Sequence, residues 1–454
     1  MLLTYLKITA VSLPLIVMLA LSPAISDWRN AIVRQRAFWV TGLLLFALFF
    51  WPSVSDSVLA QGELAGGRLA RVILLPMIGF YWLYRISKVP NALKSFSAWV
   101  FWLGLYWGWA LISVWYSPDS MLSLWKCFEY LVLILFALGI RATSHTLSDY
   151  ADLFYGCMFL ILAVCVFSLV GIVLEPDLSI SINPNLDDAV FSSDRFSRWG
   201  IFPLVNPNTL AQLGAILSAV AIVEFYRASS TRILVLWLIV LIGLSCVLAA
   251  HSRTSLFALA FMLMLIAYFL RKGGLLFVYL SIAVLFGFVA IDQAQEYILR
   301  GQTFEQFSSL TGRTLIWDLA WAKFLDSPIW GWGFYAGHLD LDVSHIISKR
   351  YSSVDNTYLE ILVDLGVVGL VIMIGALVAV ARNVLASRVW RSIGGGEVIL
   401  WVQALVVAFS IMVRSATGPT FQVFHLNTYL LIVVASVFSA LVCARRYMAN
   451  ASHA

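Results

Sequence analysis

Long apolar runs that carry almost no charge recur along the chain, at roughly 8–25, 37–52, 71–86, 97–115, 124–140, 151–174, 208–226, 232–250, 254–270, 274–291, 358–381, 397–413 and 428–444. Each is near the ~20 residues that a helix needs to cross ~30 Å of hydrocarbon. In lipid the backbone must satisfy its own hydrogen bonds, which leaves helices or closed barrels. A barrel would show ~10-residue alternating segments, and these runs do not alternate. Only 12% of the 454 residues are charged and 61% are hydrophobic, against ~25% charged in soluble domains. A soluble globule, a disordered chain and a collagen-like chain are excluded. The expected fold is all-α, a polytopic integral membrane helix bundle of about 12–13 spans. Residues 1–454 read as a single membrane domain, its first run interrupted by Pro14 and Pro23.

Orientation follows from the short loops. Arg29, Arg34 and Arg36, then Arg85, Lys88 and Lys94, Arg227 and Arg232, Arg271 and Lys272, Arg382, Arg388 and Arg391, and Arg445 and Arg446 fall on alternate loops. That face reads as cytoplasmic and includes the C-terminus. The loops 53–70, 116–123, 175–207, 251–253, 292–357 and 414–427 then face outward. The 292–357 segment reads as a large extracytoplasmic loop carrying short helices. Thr311-Gly312-Arg313 opens one of them, Leu315, Ile316, Leu319 and Phe324 recur near helical spacing, and Asp326-Ser327-Pro328 ends it. Such a helix would lie amphipathically over the outer boundary. Aromatic residues at the run ends read as an interfacial belt. The net charge of +5 gives no reason to expect nucleic acid. The five cysteines sit in or beside apolar runs without CxxC spacing, so neither a disulfide nor a thiolate metal site is expected.

The outward loops collect arginines against the usual bias. Arg195 and Arg198 precede a Gly200-Ile201-Phe202-Pro203 turn and Asn206-Pro207-Asn208; Arg253 stands at the mouth of a span, Arg313 opens the loop helix, and Arg414 directly follows an apolar run. Each alone reads as a snorkelling side chain or a carboxylate partner. Together on one face they point to an anion, because guanidinium forks match phosphate oxygens two at a time. Where the large loop re-enters the membrane, Asp355 reads as a helix N-cap and equally as a general base beside water. Glu360 and Asp364 share a helix face, and Gly366 and Gly369 read as sites of close helix packing. His338 and His345 read as loop surface residues, with His338 as the fallback base. The Asp340-Leu341-Asp342 triplet is too short to count as a metal-nucleotide motif. Walker, dinucleotide, zincin and nucleophile-elbow motifs do not occur.

Over roughly residues 100–440 the chain resembles the O-antigen ligase and polymerase superfamily. The matching pieces, in order, are Ser117-Pro118-Asp119 with Leu122-Ser123-Leu124-Trp125-Lys126; Gly200-Ile201-Phe202 with Asn206-Pro207-Asn208-Thr209-Leu210-Ala211; Ser252-Arg253-Thr254-Ser255-Leu256; Gly312-Arg313-Thr314-Leu315-Ile316-Trp317 running to Asp326-Ser327-Pro328-Ile329-Trp330-Gly331-Trp332-Gly333; and Asp355-Asn356 with Gly366 and Gly369. The resemblance implies a metal-independent glycosyltransferase of the bacterial inner membrane that needs no cofactor and acts at the periplasmic face. Its partners would be an undecaprenyl-diphosphate-linked glycan donor, a glycan or lipid-linked acceptor and membrane lipids, with room for a chain-length regulator. By position, Asp355 and Arg253 would be catalytic, with His338 as the fallback base. Arg195, Arg198, Arg313, Arg414, Asn208 and Asn356 would bind substrate. In ligases the residue before Asn356 is typically histidine. Asp355 here favours a polymerase joining lipid-linked repeats over a ligase acting on lipid A-core. A transporter or flippase would instead show pseudo-symmetric halves and mid-membrane charges.

Overall fold

The computed structural model describes residues 2–34, 45–46, 48–49, 66–90, 97–144, 146–181, 197–226, 230–271, 313–341, 353–387 and 395–451. The expected runs at 274–291 and most of 37–52, with loop segments 292–312 and 342–352 and residues Arg195 and His345, lie outside them. The protein is an all-α membrane bundle. Its helices are α1 (Leu2–Leu21), α2 (Ser26–Arg34), α3 (Gly66–Ser87), α4 (Ala98–Ser113), α5 (Ser120–Thr143), α6 (Leu147–Leu174), α7 (Pro176–Ser181), α8 (Pro207–Glu224), α9 (Ser230–Ala249), α10 (Arg253–Phe269), α11 (Arg313–Asp326), α12 (Ala336–Leu339), α13 (Thr357–Ala386), α14 (Gly395–Ser415) and α15 (Leu426–Ala451). A two-stranded hairpin, β1 (Gly200–Ile201) and β2 (Leu204–Val205), forms the expected turn.

Among the described residues nine helices are long and apolar enough to cross a membrane, and α10 is a shorter apolar helix of Arg253–Phe269. The most enclosed are α15 and α8, with 89% and 83% of their spanning windows buried, whereas α1 has 22%. The outer helices turn Leu3, Leu13, Phe101, Leu234 and Leu241 outward. In a bilayer these side chains meet lipid tails, which are as apolar as they are, so their exposure carries no hydrophobic cost. Central helices need small residues instead. Gly214 on α8 and Gly243 on α9 meet so closely that a Cβ on either would lie 2.4 Å from the other's carbonyl oxygen.

Two sequence expectations change here. Pro14 lies inside α1 and does not interrupt it; the helix ends at Leu21, just ahead of Ser22, whose hydroxyl accepts from the Ala24 N–H. Gly366 does more than ease packing. It has φ 65° and ψ −168° and breaks α13 one-third of the way along. A break within a span must find partners for its freed backbone groups. Here the segment following α11 supplies them: Trp332 N–H donates to the Val363 carbonyl (2.9 Å), Gly333 N–H to that of Asp364 (2.8 Å), and Val367 N–H to that of Pro328 (2.9 Å). The Trp109 indole N–H takes the Leu365 carbonyl at 3.1 Å. The loop is thereby inserted into the broken helix.

The loop helix forms where the sequence predicts. Ile316, Ala320 and Phe324 bury one face of α11 against Val354 and Val363. Leu315, Trp321 and Leu325 point outward.

Candidate active site

One end of the bundle gathers the starts of α8, α10, α13 and α15 and the end of α14. Asn208 begins α8 and accepts from the Ser252 hydroxyl at 3.0 Å. Ser252 immediately precedes Arg253, so the contact fixes Arg253 at the mouth of α10. Arg313, at the start of α11, pairs through Nε with Asp355 Oδ2 at 3.2 Å, both side chains about one-quarter exposed. Arg253 and Arg414 each feel the charge of Arg313, and Arg414 also that of Asp355. Arg253, Arg313, Arg414 and Asp355 thus share one neighbourhood, although 161 positions separate Arg253 from Arg414 in the sequence.

The cap expectation for Asp355 is corrected. Asn356 is the N-cap of α13, its side-chain oxygen accepting from Tyr358 N–H (3.0 Å) and Leu359 N–H (3.1 Å). Asp355 sits one residue earlier in the left-handed region, at φ 54°. That backbone turn aims its carboxylate away from the helix axis and toward Arg313. Asn356 therefore uses its acceptor on its own helix.

Glu360 is buried, and accepts from the Ser353 hydroxyl (2.7 Å) and Val354 N–H (2.8 Å). Gln422 donates to its other oxygen. Glu360 thus ties the residues just before α13 to the 416–425 turn. Thr357 adds a second tie by donating to the Gly418 carbonyl at 2.8 Å. Arg414 is held on that turn, donating to the Thr417 carbonyl at 3.2 Å.

His338 is not part of the arginine group. It is buried on α12 and directs Nδ1 at both Asp364 oxygens (3.0 and 2.9 Å). Its own N–H (2.8 Å) and that of Tyr335 (3.0 Å) complete the carboxylate's shell. Burial pushes the imidazole pKa down. The Asp364 and Glu360 carboxylates and the hydrogen bond to Asp364 outweigh it and raise it to about 9. An imidazolium in such a pair fastens the loop to the broken helix and has no lone pair to take a proton. Arg198 donates to the Pro176 carbonyl at 2.8 Å, and its N–H binds the Ala249 carbonyl. It braces the hairpin segment against the end of α9. Asp340, from the discounted triplet, pairs with Lys323 at 2.8 Å.

Sequence reasoning passed over Arg71 and His425. Arg71 donates through Nε and Nη2 to the Leu48 carbonyl (3.1 and 2.7 Å) and lies 5.9 Å from the centre of the Phe424 ring. His425 follows Phe424 and responds to both Arg414 and Arg71. For Arg71 the available signal was the one used for Arg253, a cation near the start of an apolar run; His425 carried none.

The protein is thus a bundle with nine helices, among the described residues, long and apolar enough to span a membrane, and it carries arginines and a carboxylate together at one end. Residues 238–374 match the family model described as O-antigen ligase, which supports the resemblance to the O-antigen ligase and polymerase superfamily over that part of the chain. Members of that family are glycosyltransferase-like enzymes. The match takes in Arg253, Arg313, His338, Asp355 and Asn356; Asn208, Arg414, Arg71 and His425 lie outside it. No curated protein matches the chain in sequence comparison.

Proposed function

We propose that the protein is a glycan polymerase that moves an undecaprenyl-diphosphate-linked oligosaccharide onto another lipid-linked repeat unit at the periplasmic face of the bacterial inner membrane. The observation that carries this reading is the Arg313–Asp355 pair, with Arg414 near both and Arg253 near Arg313. The acceptor hydroxyl attacks the donor anomeric carbon while its proton passes to the Asp355 carboxylate. The anomeric carbon–oxygen bond breaks, and the diphosphate leaves with the electron pair. Guanidinium groups already in place meet that growing charge without reorganising, which lowers the barrier. In this scheme the arginines neutralise the leaving group without a metal. Asp355 at the position that ligases give to histidine favours polymerase over ligase. The cation-rich opposite ends of α3, α10, α13 and α15, with Arg85, Arg271, Arg382 and Arg445, support a cytoplasmic C-terminus.

The test is reconstitution of the purified protein with a lipid-linked repeat unit, read as a ladder on a gel. A ladder is the expected result. Transfer to lipid A-core with no ladder replaces polymerase by ligase, and no transfer to either acceptor overturns the transferase reading.

A further inference from the structure

A base must hold the proton it takes, and positive charge beside a carboxylate favours its ionised form. Asp355 has Arg313 on Oδ2 at 3.2 Å and Arg414 nearby, so what stands at Oδ1 matters. The Ser353 hydroxyl lies there, 3.4 Å from Asp355 Oδ1 and 2.7 Å from Glu360 Oε1. A hydroxyl has one hydrogen and two lone pairs. The hydrogen goes to Glu360, because 2.7 Å is an ordinary O–H···O distance and 3.4 Å exceeds one. One lone pair accepts from the Asp355 N–H at 3.0 Å. The second is left for Oδ1. Glu360 is set to keep the Ser353 hydrogen. Three donors meet this buried side chain: the Ser353 hydroxyl and the Val354 N–H (2.8 Å) at one oxygen, and the Gln422 amide at the other. That set suits a carboxylate, which accepts only. The Gln422 carbonyl is turned away, since it accepts from the Thr420 N–H at 2.9 Å. With its hydrogen committed, Ser353 meets Asp355 as an acceptor. Two oxygens without a hydrogen between them stand apart, and a proton on Oδ1 would draw them together.

We infer that Ser353 and Glu360 are positioning residues for the base: Glu360 takes the Ser353 hydrogen, so that Ser353 Oγ receives a hydrogen bond from Asp355 once Oδ1 carries the acceptor's proton. The inference rests on the transfer and on the role of Asp355 proposed above. In that step the acceptor O–H bond breaks and its electron pair forms the bond to the anomeric carbon. The diphosphate leaves with the pair of the old bond, and the proton rests on Oδ1, hydrogen-bonded to Ser353 Oγ. Ser353 keeps its own hydrogen and Glu360 its charge throughout. Asp355, about one-quarter exposed, then passes the proton to water. One aspartate thus divides its work, with Oδ2 oriented by Arg313 and Oδ1 exchanging the proton.

The experiment measures kcat and KM of the full chain in liposomes with a lipid-linked repeat unit, between pH 4.5 and pH 8. Arg313 from α11 and Arg414 from α14 face Asp355; His338 from α12, Asp364 from α13 and Tyr106 from α4 act on Glu360. The arginines stay charged over this range, and His338, raised to about 9, keeps its proton. Ser353→Ala removes a contact made only by the protonated base. Its kcat is expected to fall about tenfold and the acid limb of its profile to move about one pH unit lower, the worth of one hydrogen bond, with KM little changed. Ser353→Thr keeps the hydroxyl and should recover most of the rate. Glu360→Gln holds the Ser353 hydrogen less firmly and should move the limb the same way. The double variant should move it no further than Ser353→Ala, because Glu360 acts through Ser353. If Ser353→Ala is not monodisperse, Ser353→Cys replaces it with the same shift expected, since a thiol is a weak acceptor. A limb that stays in place or moves upward, whatever the rate, overturns the inference, and so does a threonine variant no better than alanine; in both cases a wild-type ladder leaves the transfer standing. A wild type without a ladder overturns the transfer and the inference with it.

Discussion

The His338–Asp364 pair makes the loop's attachment to the broken helix dependent on pH. The two side chains are 2% and 3% exposed and 2.9 Å apart, and His338 is raised from 6.5 to about 9. A histidine whose folded pKa exceeds its unfolded value stabilises fully below about pH 6.5 and progressively less as pH rises through about 9. At 1.36 kcal/mol per pH unit that interval is worth about 3 kcal/mol, at the low edge of the ~3–5 kcal/mol for breaking a buried ion pair. In Asp364→Asn one carboxylate oxygen becomes an NH2 facing the N–H of Tyr335 or His338, and the imidazolium loses its counter-charge. Apparent melting temperature of the purified protein, followed from pH 6 to pH 10, tests this. Wild type should fall across the window, and Asp364→Asn should start low and stay level. His338→Gln should also lose the pH dependence. A flat wild-type profile, or a variant that runs parallel to it, refutes the reasoning.

Arg253→Ala and Arg313→Ala should each cut polymer formation by ~100-fold or more, the usual size of a lost donor to a developing anion, with normal expression by immunoblot. Lysine at either position should restore little, because a point charge cannot reproduce the fork. Asp355→Asn should abolish transfer while keeping lipid diphosphate binding, because asparagine tolerates the left-handed backbone at φ 54° as well as aspartate does; a ladder of wild-type intensity would remove Asp355 from the chemistry. Gly366→Ala would put a methyl group 2.2 Å from the Ile329 carbonyl oxygen at φ 65°. A cost of about 3 kcal/mol or more is expected from the strain and the displaced loop, visible as loss of monodisperse protein in size-exclusion chromatography.

Apolar run lengths, the limits of α11 at Arg313 and Asp326, and the arginines at the run ends could all be read along the chain. Transfer into lipid is close to a sum over consecutive residues, so a window of sequence carries it. Lateral packing is different. Helices in lipid associate through small residues and specific polar contacts, without a hydrophobic force between them. Only the tertiary structure could decide that Arg253, Arg313 and Arg414 meet while Arg198 turns to Pro176. The Asp355 assignment shows the limit at the scale of one residue. Either Asp355 or Asn356 suits a cap, and the choice fell to Asn356 because Arg313, more than forty positions away in the sequence, takes the Asp355 carboxylate. The break at Gly366 was equally hidden, since its freed carbonyls are satisfied by Trp332 and Gly333 across a contact that no local pattern encodes.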